Sequence, residues 1–206
     1  MMFIEVFVPK GALGPEQRHV LGRRLVTDVM QAGDSGAPDE VIEAARSLCH
    51  VLFHETDGWY TAGREVQPGD PPPYLLRVSV PESWRDGMAP HVIKVFSALV
   101  AEVDSRPERL RAEPVAWVHV LGVPDDGIGA MGGVLGSVEL VKLITKAHRE
   151  SPRSPEGLPP GTGFDPVCGM TVPFEHAAAT AEHGGTRYAF CSKGCHEVFA
   201  EEHTAA

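Results

Sequence analysis

Three of the four cysteines in this 206-residue chain stand close together near its C-terminal end, in "DPVCGM" and "YAFCSKGC". Cys168 and Cys191 are separated by 22 residues, Cys191 and Cys195 by three. The i, i+4 spacing places the last two sulfurs on one face of a helical turn. The intervening "SKG" suggests a tight turn or helix start, where free N–H groups and the helix dipole favour thiolates. Three thiolates around one point are the chemistry of a soft metal ion, and the fourth donor has several candidates. Asp165 lies at i−3 from Cys168, Met170 offers a thioether two residues beyond it, and His196 adjoins Cys195. His176 and His183 are less constrained. A carboxylate or imidazole would suit Zn(II), whereas a thioether or an open position would suit Cu(I). Cys49, inside the apolar pattern "ARSLCHVLF", reads as core.

These residues need elements to bring them together. The stretch from Thr171 to Phe190 is expected to form a hairpin. One strand begins at Thr171 and Val172, Gly184–Gly185 makes the turn, and Arg187 to Phe190 return. Such a hairpin carries Cys168 back beside Cys191 and Cys195. A module of about 40 residues buries too little apolar surface to fold easily alone, so a bound ion has a physical purpose as a staple. Upstream, "RESPRSPEGLPPGTG" has four prolines, three glycines and no hydrophobic periodicity, which reads as a linker. The chain then divides into a body (1–148), a linker (149–163) that would let the tail move, and a metal-binding module (164–203).

The body reads as a repeated β-α-β unit, about 2–66 and 73–148, so the expected fold is α/β (α+β) with helices on a sheet. "FIEVFVP" and "YLLRVSVP" are alternating strands that stop at a proline. Each precedes a helical pattern, with Val20, Leu21, Leu25 and Val29 in the first and Val92, Phe96, Leu99 and Val103 in the second. Pro15 suits an opening helical turn and Ser137 an N-cap. Further strands are expected at "HVLFHE" and "AWVHVLG", glycine-rich turns at "DGWYTAG" and "DDGIGAMGG", and an added helix in "APDEVIEAARSLCH".

Composition narrows the function classes. A formal charge of −10 argues against nucleic acid or an anionic membrane as partner, because either needs a basic face. No apolar run reaches the roughly 20 residues of a membrane span. The start "MMFIEVFVPKG" has no basic flank and is not read as a signal peptide. Clustered cysteines without an export signal fit metal or redox chemistry in a reducing compartment, so the expected location is cytoplasmic.

Two resemblances extend this reading. "MMFIEVFVPKGALGPEQRHVLGRRL", "FHE…WYTAG", "GIGAMGG" and the duplicated plan resemble the tautomerase superfamily in its fused two-unit form. That group includes the cis-3-chloroacrylic acid dehalogenase and macrophage migration inhibitory factor types. The likeness implies a homotrimer and a catalytic amino-terminal proline. Met2 stands where that proline belongs, and a bulky second residue disfavours removal of Met1. Pro73, an internal amide, cannot replace it. The body therefore reads as a catalytically impaired scaffold, with Arg23 and Arg24 as residual anion-binding candidates or simply a solvated helix face.

"DPVCGMTV" and "GGTRYAFCSKGCHEVF" resemble the YHS domain, a TRASH-like metal-binding module found on heavy-metal ATPases and associated proteins. That resemblance implies copper or zinc, one Cu(I) or Zn(II) per module, in metal handling or sensing, with a metal-transport protein as a conceivable partner. The alternatives are a tautomerase- or dehalogenase-like enzyme on a small anionic substrate and a thiol redox sensor using Cys191 and Cys195.

Overall fold

The computed structural model describes residues 1–30, 36–151 and 157–204. In chain order the body begins with β1 (Met2–Pro9), α1 (Pro15–Thr27), α2 (Asp39–Ser47), β2 (Cys49–Thr56) and the short strands β3 (Tyr60–Thr61) and β4 (Arg64–Glu65). The plan then repeats as β5 (Tyr74–Pro81), α3 (Glu82–Val103), α4 (Arg109–Ala112), β6 (Ala116–Val123), β7 (Gly129–Ala130), β8 (Gly133–Val134) and α5 (Ser137–Glu150). The tail adds β9 (Thr162–Phe164), β10 (Thr171–Pro173), β11 (Ala179–His183), β12 (Thr186–Phe190) and α6 (Lys193–Thr204). The fold is mixed α/β, as the alternation of strand and helix patterns predicts.

Two compact units emerge. The first draws on Met1–Val29 and Leu48–Pro124, the second on the described residues of Met30–Ser47 and Asp125–Ala206. The first unit is a four-stranded sheet in the order β2-β1-β5-β6. β1 and β2 run parallel, as do β5 and β6, and the two halves meet through an antiparallel β1–β5 pairing. Strand alternation sends Met2, Ile4, Val6 and Val8 to one face with Tyr74, Leu76, Val78 and Val80, all at most 1% exposed. Leu21 and Leu25 of α1 and Val92, Phe96, Leu99 and Val100 of α3 complete this core. The opposite face leaves Phe3, Leu52, Trp117 and Leu121 between 41% and 55% exposed. Behind α3, Asp104 and Arg109 form a buried bidentate ion pair, with Nη2–Oδ2 at 2.6 Å and Nε–Oδ1 at 3.3 Å.

In the second unit α5 packs against both α2 and α6, with Leu140, Val141, Thr145 and His148 buried at helical spacing. Lys142 and Arg149 of α5 pair with Glu201 and Glu202 of α6. Three local expectations shift. α5 is capped by Gly136 rather than Ser137, whose hydroxyl instead donates to Asp125 at 2.6 Å. α5 also takes in Arg149 and Glu150, while β9 begins at Thr162 inside the expected linker, whose residues 152–156 lie outside the described ones. The tail expected to swing on that linker has α6 seated on α5. Among the described residues no helix is long and apolar enough to cross a membrane.

Candidate metal centre

The site is assembled by two hairpins and the start of one helix. β9 and β10 pair antiparallel, with Phe164 opposite Thr171, and the loop between them carries Asp165, Cys168 and Met170. Thr171–Val172 thus pair with β9, and the glycine-turn hairpin is formed by β11 and β12 instead. A strand at 162–164 was hidden by its proline- and glycine-rich surroundings. The loop closes on its own main chain: Asp165 N–H donates to the Met170 carbonyl and Gly169 N–H to the Asp165 carbonyl, each at 2.8 Å. Gly169 sits at φ +79, and a Cβ there would come within 2.6 Å of the His148 ring and 2.7 Å of Pro38. Only glycine allows that loop to lie so close to α5.

The second hairpin turns at Gly184–Gly185, both with positive φ, and β12 delivers Cys191 at its end. Ser192 then caps α6, its hydroxyl accepting the Cys195 N–H at 3.1 Å. Cys195 is held in the first helical turn, where the dipole favours a negative sulfur. The small core beneath consists of Phe164, Val167, Val172, Ala189, Phe190, Val198 and Phe199.

Cys168 Sγ lies 3.5 Å from Cys191 Sγ, which lies 3.6 Å from Cys195 Sγ. One ligand atom from each of Asp165, Cys168, Cys191 and Cys195 falls within 4.8 Å of all the others. All four cysteines of the chain are free thiols, and the sulfur separations exceed the ~2.05 Å of a disulfide. Two sulfurs bound to one tetrahedral ion at ~2.3 Å stand ~3.8 Å apart, so the spacing fits a shared ion. Cys168 and Cys195 are buried, Cys191 is half-buried and Asp165 is 0% exposed.

The electrostatics point the same way. Hydrogen bonding from Cys168, then from Cys195, pulls Cys191 well below the ordinary thiol range. The same bond to Cys191, with that to Cys195, pushes Cys168 up. For Cys195 the bond to Cys168 acts downward, but the bond to Cys191 and burial outweigh it and raise the thiol. Burial, with the nearby Cys191 charge second, pushes the Asp165 carboxyl up to about 6. One thiolate thus shares the protons of two thiols beside a buried carboxyl. A metal ion bound by all three sulfurs would displace the remaining thiol protons, which makes its binding pH-dependent.

Of the candidate ligands, the structure brings Asp165, Cys168, Cys191 and Cys195 together. His196 is not among the convergent groups; its ring meets Phe190 edge-on at 5.1 Å. Met170 contributes its carbonyl to the loop closure. His176 is exposed beside Glu175, and His183 packs near Phe199 and His203. Cys49 opens β2 opposite Met2 and is not a member of the cluster. Sequence reading passed over Ser192, although a serine three residues before Cys195 is an N-cap signal. It also passed over Gly169 and His148, whose meeting depends on tertiary packing. In the first unit Arg24 is engaged by Asp28 and Glu102, and Arg23 is exposed. A cleft of about 560 Å³ at Pro73 sets Arg64, Arg106 and Arg109 against Asp70, Glu108 and Glu113, with no excess positive charge to collect an anion.

Residues 164–204 match the YHS domain family, so the class of the module is defined: it is a YHS domain. None of the curated proteins matches the chain. Among solved structures it is similar to Pt0534 inactivated by 2-oxo-3-pentynoate, at 22% identity and a TM-score of 0.49, covering 64% of this chain and 94% of that one. It is also similar to the F6 fused 4-OT asymmetric trimer, at 18% identity and a TM-score of 0.46, covering 64% and 94%. A third is N1, a member of the cis-3-chloroacrylic acid dehalogenase family, at 20% identity and a TM-score of 0.44, covering 64% and 82%.

Proposed function

We propose that this chain is a soft-metal-binding protein that takes one Cu(I) or Zn(II) ion per YHS domain and works in metal handling or sensing within a reducing compartment such as the cytoplasm. Cys168, Cys191 and Cys195 hold the ion as thiolates. The observation that carries this reading is the convergence of three free thiols and one carboxylate within 4.8 Å in a largely buried pocket. Purification without chelator, followed by elemental analysis, tests it: about one ion per chain is expected, and none after all three cysteines become serine. A metal-free protein with a reversible Cys191–Cys195 disulfide would instead favour the redox reading.

The duplicated β-α-β body serves as a catalytically impaired, homotrimeric scaffold. Met2 supports the impairment, because its side chain is 0% exposed in the sheet core and its nitrogen is an ordinary amide. The open edges of β2 and β6 and the exposed Phe3, Leu52, Trp117 and Leu121 support the assembly. Light scattering at micromolar concentration is expected to give three chains per particle. Little tautomerase activity on enolisable keto acids is expected.

A further inference from the structure

The carboxylate of Asp165 is completely buried, yet it does not stand idle facing the sulfurs. Its Oδ1 accepts the N–H groups of Val167 at 3.0 Å and Cys168 at 3.3 Å, and its Oδ2 accepts the Cys191 N–H at 2.9 Å. A carboxylate has about four acceptor sites, and three are engaged here by backbone amides. Two of those amides lie in the β9–β10 loop and the third follows β12, 26 residues along the chain. The carboxylate therefore bridges the two segments that bear Cys168 and Cys191. The remaining acceptor site is on Oδ2, so an ion drawn there would share that oxygen with the Cys191 N–H and weaken the bond that sets the separation of two sulfurs.

We infer that Asp165 is a positioning residue, an anionic brace that fixes the Cys168 and Cys191 backbones, and that the ion itself is held by three sulfurs alone. The inference rests on the metal-binding reading above and narrows it. A three-thiolate donor set leaves a closed four-ligand zinc site incomplete and suits Cu(I), which accepts low coordination and soft donors. The sequence placed Asp165 among candidate ligands, because an i−3 carboxylate looks the same whether it binds metal or amides.

The test has a metal-free arm and a Cu(I)-loaded arm, both on the full chain. Without metal, amide hydrogen exchange at Val167, Cys168 and Cys191 is expected to be slow in the wild type and fast in Asp165→Ala. Asp165→Asn keeps an oxygen for the first two amides but turns an N–H₂ toward the third, so Cys191 alone is expected to speed up. With Cu(I), X-ray absorption of the wild type is expected to show three sulfur scatterers and no oxygen or nitrogen. Asp165→Asn is expected to keep that sulfur shell and a stoichiometry of one, while Asp165→Ala weakens binding about 10- to 100-fold, as loss of an outer partner does. An oxygen scatterer present in the wild type and absent in Asp165→Asn would overturn the inference, as would unchanged amide exchange in both variants. Failure of the wild type to take up either Cu(I) or Zn(II) would overturn the metal reading, and the metal-free exchange pattern would still decide the brace.

Discussion

The four-stranded sheet and the YHS domain solve the same problem with different means. The sheet buries two alternating rows, Met2 to Val8 and Tyr74 to Val80, under α1 and α3, so its order comes from apolar area. The YHS domain has a small apolar core, and its shape depends on directional contacts: Asp165 to three amides, Ser192 to Cys195, and Gly169 against His148. A periodic apolar core tolerates exchange among similar side chains, whereas a polar knuckle does not. The comparison teaches that the smaller region should be the more sensitive to single changes and to the loss of an ion.

The largest effect should follow from the sulfurs. Serine at Cys191 or Cys195 is expected to remove most of the metal affinity and to lower the melting temperature of the metal-loaded protein toward that of the metal-free one. Cys49→Ser, in β2, should leave metal content unchanged. Elemental analysis with calorimetry checks both arms. Affinity should fall with acid, because protons compete for the sulfurs.

The first unit is not immune to polar loss. Arg109→Met leaves the buried Asp104 carboxylate without its partner, and breaking such a pair costs about 3–5 kcal/mol. Burial alone would raise Asp104, but hydrogen bonds from Arg109, the Arg106 N–H and Tyr74 hold it below the ordinary carboxylate range. A lowered carboxyl contributes stability that is present above its unfolded value of about 4 and is lost as pH falls through the folded value. Urea unfolding is therefore expected to show the gap between wild type and Arg109→Met narrowing below pH 4 or so. A gap independent of pH would place the loss in packing instead.

What could be read from the sequence follows the same division. The strands at Met2–Pro9 and Tyr74–Pro81 and the helices around Leu25 and Phe96 announced themselves by period, because a buried face must repeat. The three cysteines announced themselves by spacing. Less visible were contacts that join distant segments through backbone groups. Nothing in "TGF" marks a strand, and Thr171–Val172 were paired with the wrong partner because β9 lies within a proline-rich stretch. The role of Gly169 depends on His148 being opposite, a fact of tertiary packing.

A change at Gly169 sharpens the point at moderate size. Gly169→Ala imposes a side chain on a positive φ and drives it into the His148 ring and Pro38. Strain of that kind costs about 1–3 kcal/mol. Thermal unfolding should show the loss, and metal affinity should fall with it, because the residue adjoins Cys168. Gly184→Asn, at a turn with positive φ and open space for a Cβ, should be nearly silent by both measures.

The smallest effect on folding should come from the exposed sheet face. Leu121 on β6 is 44% exposed and faces away from α1 and α3, beside Ser79 on β5. Leu121→Glu therefore removes little burial within one chain, and its folding stability should change by about 0.5 kcal/mol, as surface substitutions do. If this face joins the copies of the proposed trimer, a carboxylate placed there is desolvated. Sedimentation should then find the variant dissociating at concentrations where the wild type stays assembled, with metal stoichiometry still one per YHS domain. A variant that remains as assembled as the wild type would show that this face is not the one that the copies share.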